Sequence, residues 1–277
     1  MPFAEKDGIR YLTFDTLSVA GVTHAVFTRR GGVSPAPWKA LNVGGVVGDD
    51  PQRVAENRQR SFTALGKRLA SMYDVWQVHG VEVVCAQAPR PADVPHLEAD
   101  VILCDQPGVT LFMRFADCVP ILLLDPRRGV VGLAHAGWMG TVRRVASAAV
   151  QSLHNCYGSQ PSDLLAAIGP SIGAHHYPVG PDVVKRVQEA FGDQSEGLLL
   201  AQEASGSEAG VALKGEDSLD SGVKFDLWNA NRLVLREAGV NSIEVAGICT
   251  ACFPEDWYSH RGEKGRTGRF GALIGLD

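Results

Sequence analysis

The chain has 277 residues, 45% of them hydrophobic, enough to bury a sizeable core as one domain over 1–277. Its formal net charge of −5, with Lys and Arg scattered along the chain, leaves no basic stripe to neutralise a phosphate backbone, so nucleic acid is not an expected partner. No window approaches the roughly 20 apolar residues of a membrane span, the start Met1-Pro2-Phe3-Ala4-Glu5-Lys6-Asp7 has no basic stretch leading into an apolar run, and six dispersed cysteines make no disulfide framework. A cytoplasmic protein with free thiols and no membrane partner is expected.

In chain order, a β-branched and apolar run predicts a strand over 24–28. A helix over 51–65 follows, with Asp50 able to cap it, Pro51 suited to its first position and Gly66 placed to stop it. Short runs at 75–78, 101–104 and 109–113 read as strands. The runs 120–124 and 130–135 flank the turn Asp125-Pro126-Arg127-Arg128-Gly129, so they pair as an antiparallel hairpin. Val142, Val145, Ala146, Ala149, Val150 and Leu153 recur at helical spacing, which predicts a helix over 141–157 ended by Gly158. Helices over 182–191 and 226–238, the latter ended by Gly239, and a strand over 245–248 complete the pattern. The Ser-, Gly- and acid-rich stretch 202–222 reads as an exposed loop. The sum is an α/β chain, mixed α+β, with a mixed sheet and flanking helices.

Three segments place a ligand-capable side chain at a strand boundary: Gln77-Val78-His79-Gly80, Ala116-Asp117-Cys118-Val119-Pro120 and Ala134-His135-Ala136-Gly137-Trp138. The predicted hairpin brings Cys118 and His135 to one edge. Two imidazoles and a thiolate suit zinc, and three protein ligands leave a fourth position for water or substrate, as in a catalytic site. Each residue alone is an ordinary core His or Cys; what distinguishes them is their joint placement beside Gly80, Ala116, Ala136 and Gly137, which let a ligand approach the backbone. Two other readings stay open. His, His and Cys with an axial Met, here Met113 or Met139, is the blue-copper arrangement, and Cys118 with His135 forms a nucleophile and base without metal, which leaves His79 unexplained.

Asp117 is a candidate general base, or the carboxylate that orients a ligating imidazole. The turn from Gly137 leads into the predicted helix over 141–157, whose free amides suit an anion such as phosphate. Ser259-His260-Arg261 and Arg266-Thr267-Gly268-Arg269 gather cations and hydroxyls able to clamp an oxyanion, and Arg29-Arg30-Gly31-Gly32 suits a small polar ligand. Cys249-Thr250-Ala251-Cys252 has the spacing of half a zinc ribbon, but no second Cys pair completes it, so these cysteines are expected to be structural.

These segments, with Leu41-Asn42-Val43-Gly44, Asn57-Arg58, Gly169-Pro170-Ser171-Ile172-Gly173 with Tyr177, and Asp226-Leu227-Trp228-Asn229, resemble over most of the chain the laccase-domain family. That family is also called the polyphenol-oxidase-like or peptidoglycan-editing-factor family, and its members are purine nucleoside phosphorylases. The resemblance implies a layered sandwich with mixed β-sheets flanked by helices, and one zinc per chain on His79, Cys118 and His135. It implies phosphorolysis of adenosine, inosine, guanosine or methylthioadenosine, with deamination of adenosine. Cys118, Asp117 and His135 would then be catalytic, and Arg29, Asn42, Arg58 and Arg261 would bind nucleoside or phosphate. In two places the sequence departs from the family: Met139 and Gly262 stand where it usually has Arg, which weakens the expected hold on phosphate. The alternatives are a copper-dependent polyphenol oxidase and a peptidoglycan-synthesis editing protein with a structural metal. No sequence feature fixes the oligomeric state; a monomer is the working expectation.

Overall fold

A computed structural model describes residues 1–201 and 222–277; the loop expected over 202–222 falls, Gly222 apart, outside the described residues. In chain order the strands are β1 (Phe3–Lys6), β2 (Ile9–Leu12), β3 (Thr23–Phe27), β4 (Met72–Tyr73), β5 (Val83–Cys85), β6 (Val101–Cys104) and β7 (Thr110–Phe115). There follow β8 (Val119–Asp125), β9 (Val130–Ala136), β10 (Leu165–Ile168), β11 (Leu199–Ala201), β12 (Val223–Phe225), β13 (Ser242–Val245) and β14 (Phe270–Gly275). The α-helices are α1 (Asp15–Val19), α2 (Pro51–Ala64), α3 (Trp138–Val142), α4 (Val145–Tyr157), α5 (Pro181–Phe191) and α6 (Leu227–Glu237).

Twelve of these strands form two six-stranded mixed sheets, ordered β1-β2-β3-β14-β7-β4 and β13-β10-β8-β9-β6-β5. Side chains alternate across a strand, and here the alternation divides the core. Ile102, Leu122, Leu124, Val131 and Leu133 of the second sheet meet Leu111, Met113, Phe115, Ala272 and Ile274 of the first. The residues between them face the other way: Leu103, Ile121, Leu123 and Ala134 pack on α4, α5 and α6. Phe27, Phe112 and Leu273 on the outer face of the first sheet meet Phe62 of α2. The molecule is therefore layered as helix, sheet, sheet, helices, the expected sandwich.

The β8–β9 hairpin is antiparallel as predicted, with Pro120 opposite His135 and Val119 opposite Ala136. Asp50 caps α2 by accepting from the Gln52 amide, and Asp226 caps α6 through the Asn229 amide. The helix expected over 141–157 is broken. Arg144 adopts a left-handed conformation, φ +64°, so α3 ends at Val142 and α4 starts at Val145 and runs to Gly158. The 75–78 strand is only a single bridge from Trp76 to Glu98, and the strand expected over 245–248 lies at Ser242–Val245.

Candidate metal centre

Three separate segments bring His79, Cys118 and His135 together. His79 lies beyond the Trp76 bridge with φ +59°, Cys118 immediately precedes β8, and His135 is the penultimate residue of β9. Asp117 is also held at positive φ, +79°, so two non-glycine residues at this one place occupy a backbone region that costs about 1–3 kcal/mol. The ligand atoms of His79, Cys118 and His135 all lie within 4.8 Å of one another, with Cys118 Sγ 3.8 Å from His79 Nε2. The two imidazoles stand edge to face, their centroids 4.9 Å apart.

Gly137 makes this convergence possible. A Cβ there would sit 2.9 Å from both Cys118 Sγ and His79 Cδ2, so any other residue would push the ligands apart. His135 and Cys118 are graded into the interior while His79 is exposed, so the cluster opens on one side. The donor set, its spacing and its open side fit a zinc ion with an exchangeable position.

His135 Nδ1 is 2.7 Å from Asp100 Oδ1, which leaves Nε2 for the metal side. Asp100 Oδ2 accepts from the amides of Val78 and Gly80, at 3.1 and 2.6 Å, so one buried carboxylate fixes both an imidazole and the turn that carries His79. Burial pushes the Asp100 carboxyl up, but His135 and the two amides outweigh it and hold the group below its ordinary range. Burial likewise raises the Cys118 thiol, yet His135 and His79 bring it down to about 6; His135, although desolvated, is pushed up to about 9 by Cys118 and Asp100. Each group of the pair thus favours the charged form of the other.

Asp117 does not touch either imidazole. Its Oδ1 accepts from Thr250 Oγ1 (2.6 Å) and Ser259 Oγ (2.7 Å), and its Oδ2 from the Arg261 amide (2.6 Å), so it tethers the C-terminal segment. The carboxylate that meets an imidazole of the cluster is Asp100, a residue the sequence did not single out.

The cluster lies in a cavity of about 670 Å³, a size suited to a nucleoside-sized ligand. Arg58, Arg114, Arg261 and Arg269 line it, as do Trp138 and Tyr177. Arg114 is bound to Asp74, whereas Arg58, Arg261 and Arg269 have no carboxylate partner among the described residues. Arg58 is held by the Val43 carbonyl, Arg269 by the Gly268 carbonyl, and Arg261 by the Pro178 carbonyl with its guanidinium 5.0 Å from the centre of the Tyr177 ring.

Of the four expected substrate residues, Arg58 and Arg261 line the cavity and Arg29 and Asn42 do not. Arg29 donates to Lys39 O and Pro254 O, pairs with Glu263 at 3.1 Å and lies over Tyr258. Asn42 is fully buried and accepts from the amides of Gly44 and Arg269, so it shapes the wall from behind. Met139 and Gly262, the two departures from the family pattern, are absent from the lining. Nor does the turn from Gly137 lead into the long helix expected from Thr141: the five-residue α3 starts at Trp138, and α4 begins only at Val145.

A family model described as multi-copper polyphenol oxidoreductase laccase matches residues 23–277. The chain belongs to this laccase-domain family. It is 41% identical over 255 residues to the purine nucleoside phosphorylase of Deinococcus radiodurans, covering 92% of this chain and 89% of that protein. It is 36% identical to the purine nucleoside phosphorylase YlmD of Geobacillus stearothermophilus, over 92% of this chain and 90% of that one. The crystal structure of YlmD from the same organism superimposes with a TM-score of 0.84 at 33% identity, covering 99% and 98% of the two chains. Bacillus licheniformis YfiH, a hypothetical protein, also gives 0.84, at 30% identity over 100% and 99%. For this laccase-domain chain the layered sandwich is therefore that of solved relatives as well.

Proposed function

We propose that this chain is a zinc-dependent purine nucleoside phosphorylase acting on adenosine, inosine, guanosine or methylthioadenosine, with adenosine deamination at the same site. The observation that carries the reading is the open His79–Cys118–His135 cluster in a cavity whose wall bears three arginines without carboxylate partners among the described residues. Curated relatives named purine nucleoside phosphorylase, similar over more than nine-tenths of this chain, support it.

His79, Cys118 and His135 would hold the ion, which when bound supplies positive charge that polarises an oxygen at its open side. Arg58, Arg261 and Arg269 bind phosphate, since guanidiniums without a competing carboxylate are suited to phosphate oxygens. Their positions around one cavity orient the phosphate toward the ribose of a nucleoside stacked against Trp138 and Tyr177. In phosphorolysis a phosphate oxygen bonds to the anomeric carbon as the glycosidic C–N bond breaks; the bond's electron pair goes to the purine nitrogen, which takes up a proton. In deamination, water bonds to the purine carbon bearing the amine and ammonia leaves. Burial pushes the Tyr177 phenol upward, so it stays a neutral O–H donor at the cavity wall. Asp117 is a positioning residue: it fixes the backbone from which Arg261 projects. The cations missing at Met139 and Gly262 do not empty the cavity of positive charge, because Arg58, Arg261 and Arg269 remain.

A multi-copper oxidase requires far more imidazoles than the two that meet Cys118. Of the eight histidines, His24 accepts from the Phe14 amide, His96 contacts Asp74 and His154 contacts the Ser159 carbonyl. Incubating the purified protein with adenosine, with and without phosphate, tests the reading. Adenine and ribose 1-phosphate that require phosphate, with inosine formed in either condition, are the expected products; neither product, or several coppers with a blue absorption band, would overturn it. His135→Ala is expected to abolish turnover in a folded protein, whereas global unfolding would instead support a structural metal.

A further inference from the structure

The Cys249-x-x-Cys252 pair lacks a second cysteine pair in sequence, but in three dimensions its complement is present. His175 and His176, from the turn between β10 and α5, stand directly against it. The ligand atoms of His175, His176, Cys249 and Cys252 all lie within 4.8 Å of one another. Cys252 Sγ is 3.0 Å from His175 Nε2 and 3.4 Å from His176 Nδ1, and Cys249 Sγ is 3.6 Å from the same Nδ1. A tetrahedral zinc with two thiolates and two imidazoles has ligand-to-ligand edges of roughly 3.4–3.8 Å, so two of these separations already match and the third needs only a small ring movement.

We infer that His175, His176, Cys249 and Cys252 form a second metal site, a closed Cys2His2 zinc site separate from the His79–Cys118–His135 cluster. Four protein ligands leave no exchangeable position, which marks the site as structural. The surroundings are built for it. The Gly173 amide donates to Cys249 Sγ at 3.2 Å, the kind of outer hydrogen bond that orients a thiolate ligand. A Cβ on Gly173 would lie 2.6 Å from His175 Cε1, so a larger residue would displace that ring. The two segments are already joined by a Ser171–Cys249 bridge and by the Thr250 amide donating to Ser171 O at 3.0 Å. Neither imidazole has a carboxylate partner among the described residues, and all six cysteines are free thiols.

The consequence reaches the cavity. Tyr177, next to His176, lines it, and Thr250, inside the Cys-x-x-Cys knuckle, donates to Asp117 beside Cys118. A metal here would clamp the two segments that carry this wall, without itself meeting substrate.

The test is metal content by mass spectrometry of the full chain purified under reducing conditions, for the unaltered protein, Cys118→Ser, and Cys118→Ser combined with His175→Ala and Cys252→Ser. His175 and Cys252 are exposed, and circular dichroism of each variant is the check that the fold is retained. Two zinc equivalents are expected in the unaltered protein, and the triple variant is expected to hold one fewer than Cys118→Ser, whatever the nucleoside assay gives. Cobalt-loaded Cys118→Ser, in which only Cys249 and Cys252 supply thiolates, is expected to show thiolate-to-cobalt charge transfer that the triple variant lacks. Equal metal content in these two proteins, absence of the charge-transfer band, or a Cys249–Cys252 disulfide in metal-free protein would each overturn the inference.

Discussion

Asp100 and His135 are bound at 2.7 Å, and the other oxygen of the same carboxylate accepts from the amides on both sides of His79. One side chain thus sets the orientation of the His135 ring and the backbone turn that carries His79. Loss of such an outer partner typically lowers metal affinity by about 10–100-fold. Asp100→Asn is expected to weaken zinc binding by that factor in competition with a chromophoric chelator, with turnover restored at excess zinc. Unchanged affinity would show that the contact positions nothing.

Gly137→Ala isolates sterics from backbone effects. The residue has φ −74°, which alanine adopts freely, so only the added methyl matters. That methyl would lie 2.9 Å from Cys118 Sγ and His79 Cδ2. The variant is expected to fold with nearly native thermal stability but to lose metal and at least about tenfold in kcat/KM, about 1.4 kcal/mol. Native zinc stoichiometry and affinity in Gly137→Ala would mean that the ligands close elsewhere.

The unpaired arginines predict a division of kinetic effects. Arg58 lies in α2 and Arg269 just before β14, and among the described residues the guanidinium of each is held only by carbonyls. Replacing either by Ala is expected to raise the KM for phosphate by about 10–100-fold, the range of a lost charge-assisted hydrogen bond of about 1.5–3 kcal/mol. Deamination, which needs no phosphate, should change much less. Arg29→Ala should show no such split, because its guanidinium ties loops together outside the cavity; its effect is expected in thermal stability. A phosphate-specific KM change in Arg29→Ala, or its absence in both cavity variants, contradicts this assignment.

The meeting of His79, Cys118 and His135 was legible in sequence because each stands at the end of a short apolar run beside a small residue, and the hairpin turn at Asp125–Gly129 fixes which two face each other. Asp100 was not, since it is an ordinary carboxylate before β6 whose partner lies 35 positions away. The break at Arg144 was also invisible: Val142 and Val145 keep helical spacing across it, and only the left-handed φ separates α3 from α4. β10 and β14 escaped because Leu165-Ala166-Ala167-Ile168 and Phe270-Gly271-Ala272-Leu273 carry alanine and glycine, weak strand formers that pairing inside a sheet overrides. The completion of the Cys249–Cys252 knuckle by two histidines more than 70 positions earlier required coordinates.

Behind the cavity, Asp74 is fully buried and bound to Arg90 at 2.7 Å, His96 at 3.0 Å and Arg114 at 3.2 Å. Burial pushes its carboxyl up, but Arg114, Arg90 and His96 together hold it below its ordinary range. A depressed folded-state value means that the unfolded chain takes up the proton first as the solution is acidified. The stabilisation is therefore complete above the unfolded value of about 4 and is lost as pH falls through the lower folded value. Asp74→Ala leaves Arg90 and Arg114 buried without their carboxylate, a change that destabilises by about 3–5 kcal/mol. Urea unfolding at neutral pH is expected to show that loss, and the difference from the unaltered protein should shrink as the pH is lowered below about 4. A difference that stayed constant from neutral to acid pH would mean that Asp74 contributes by packing instead of charge.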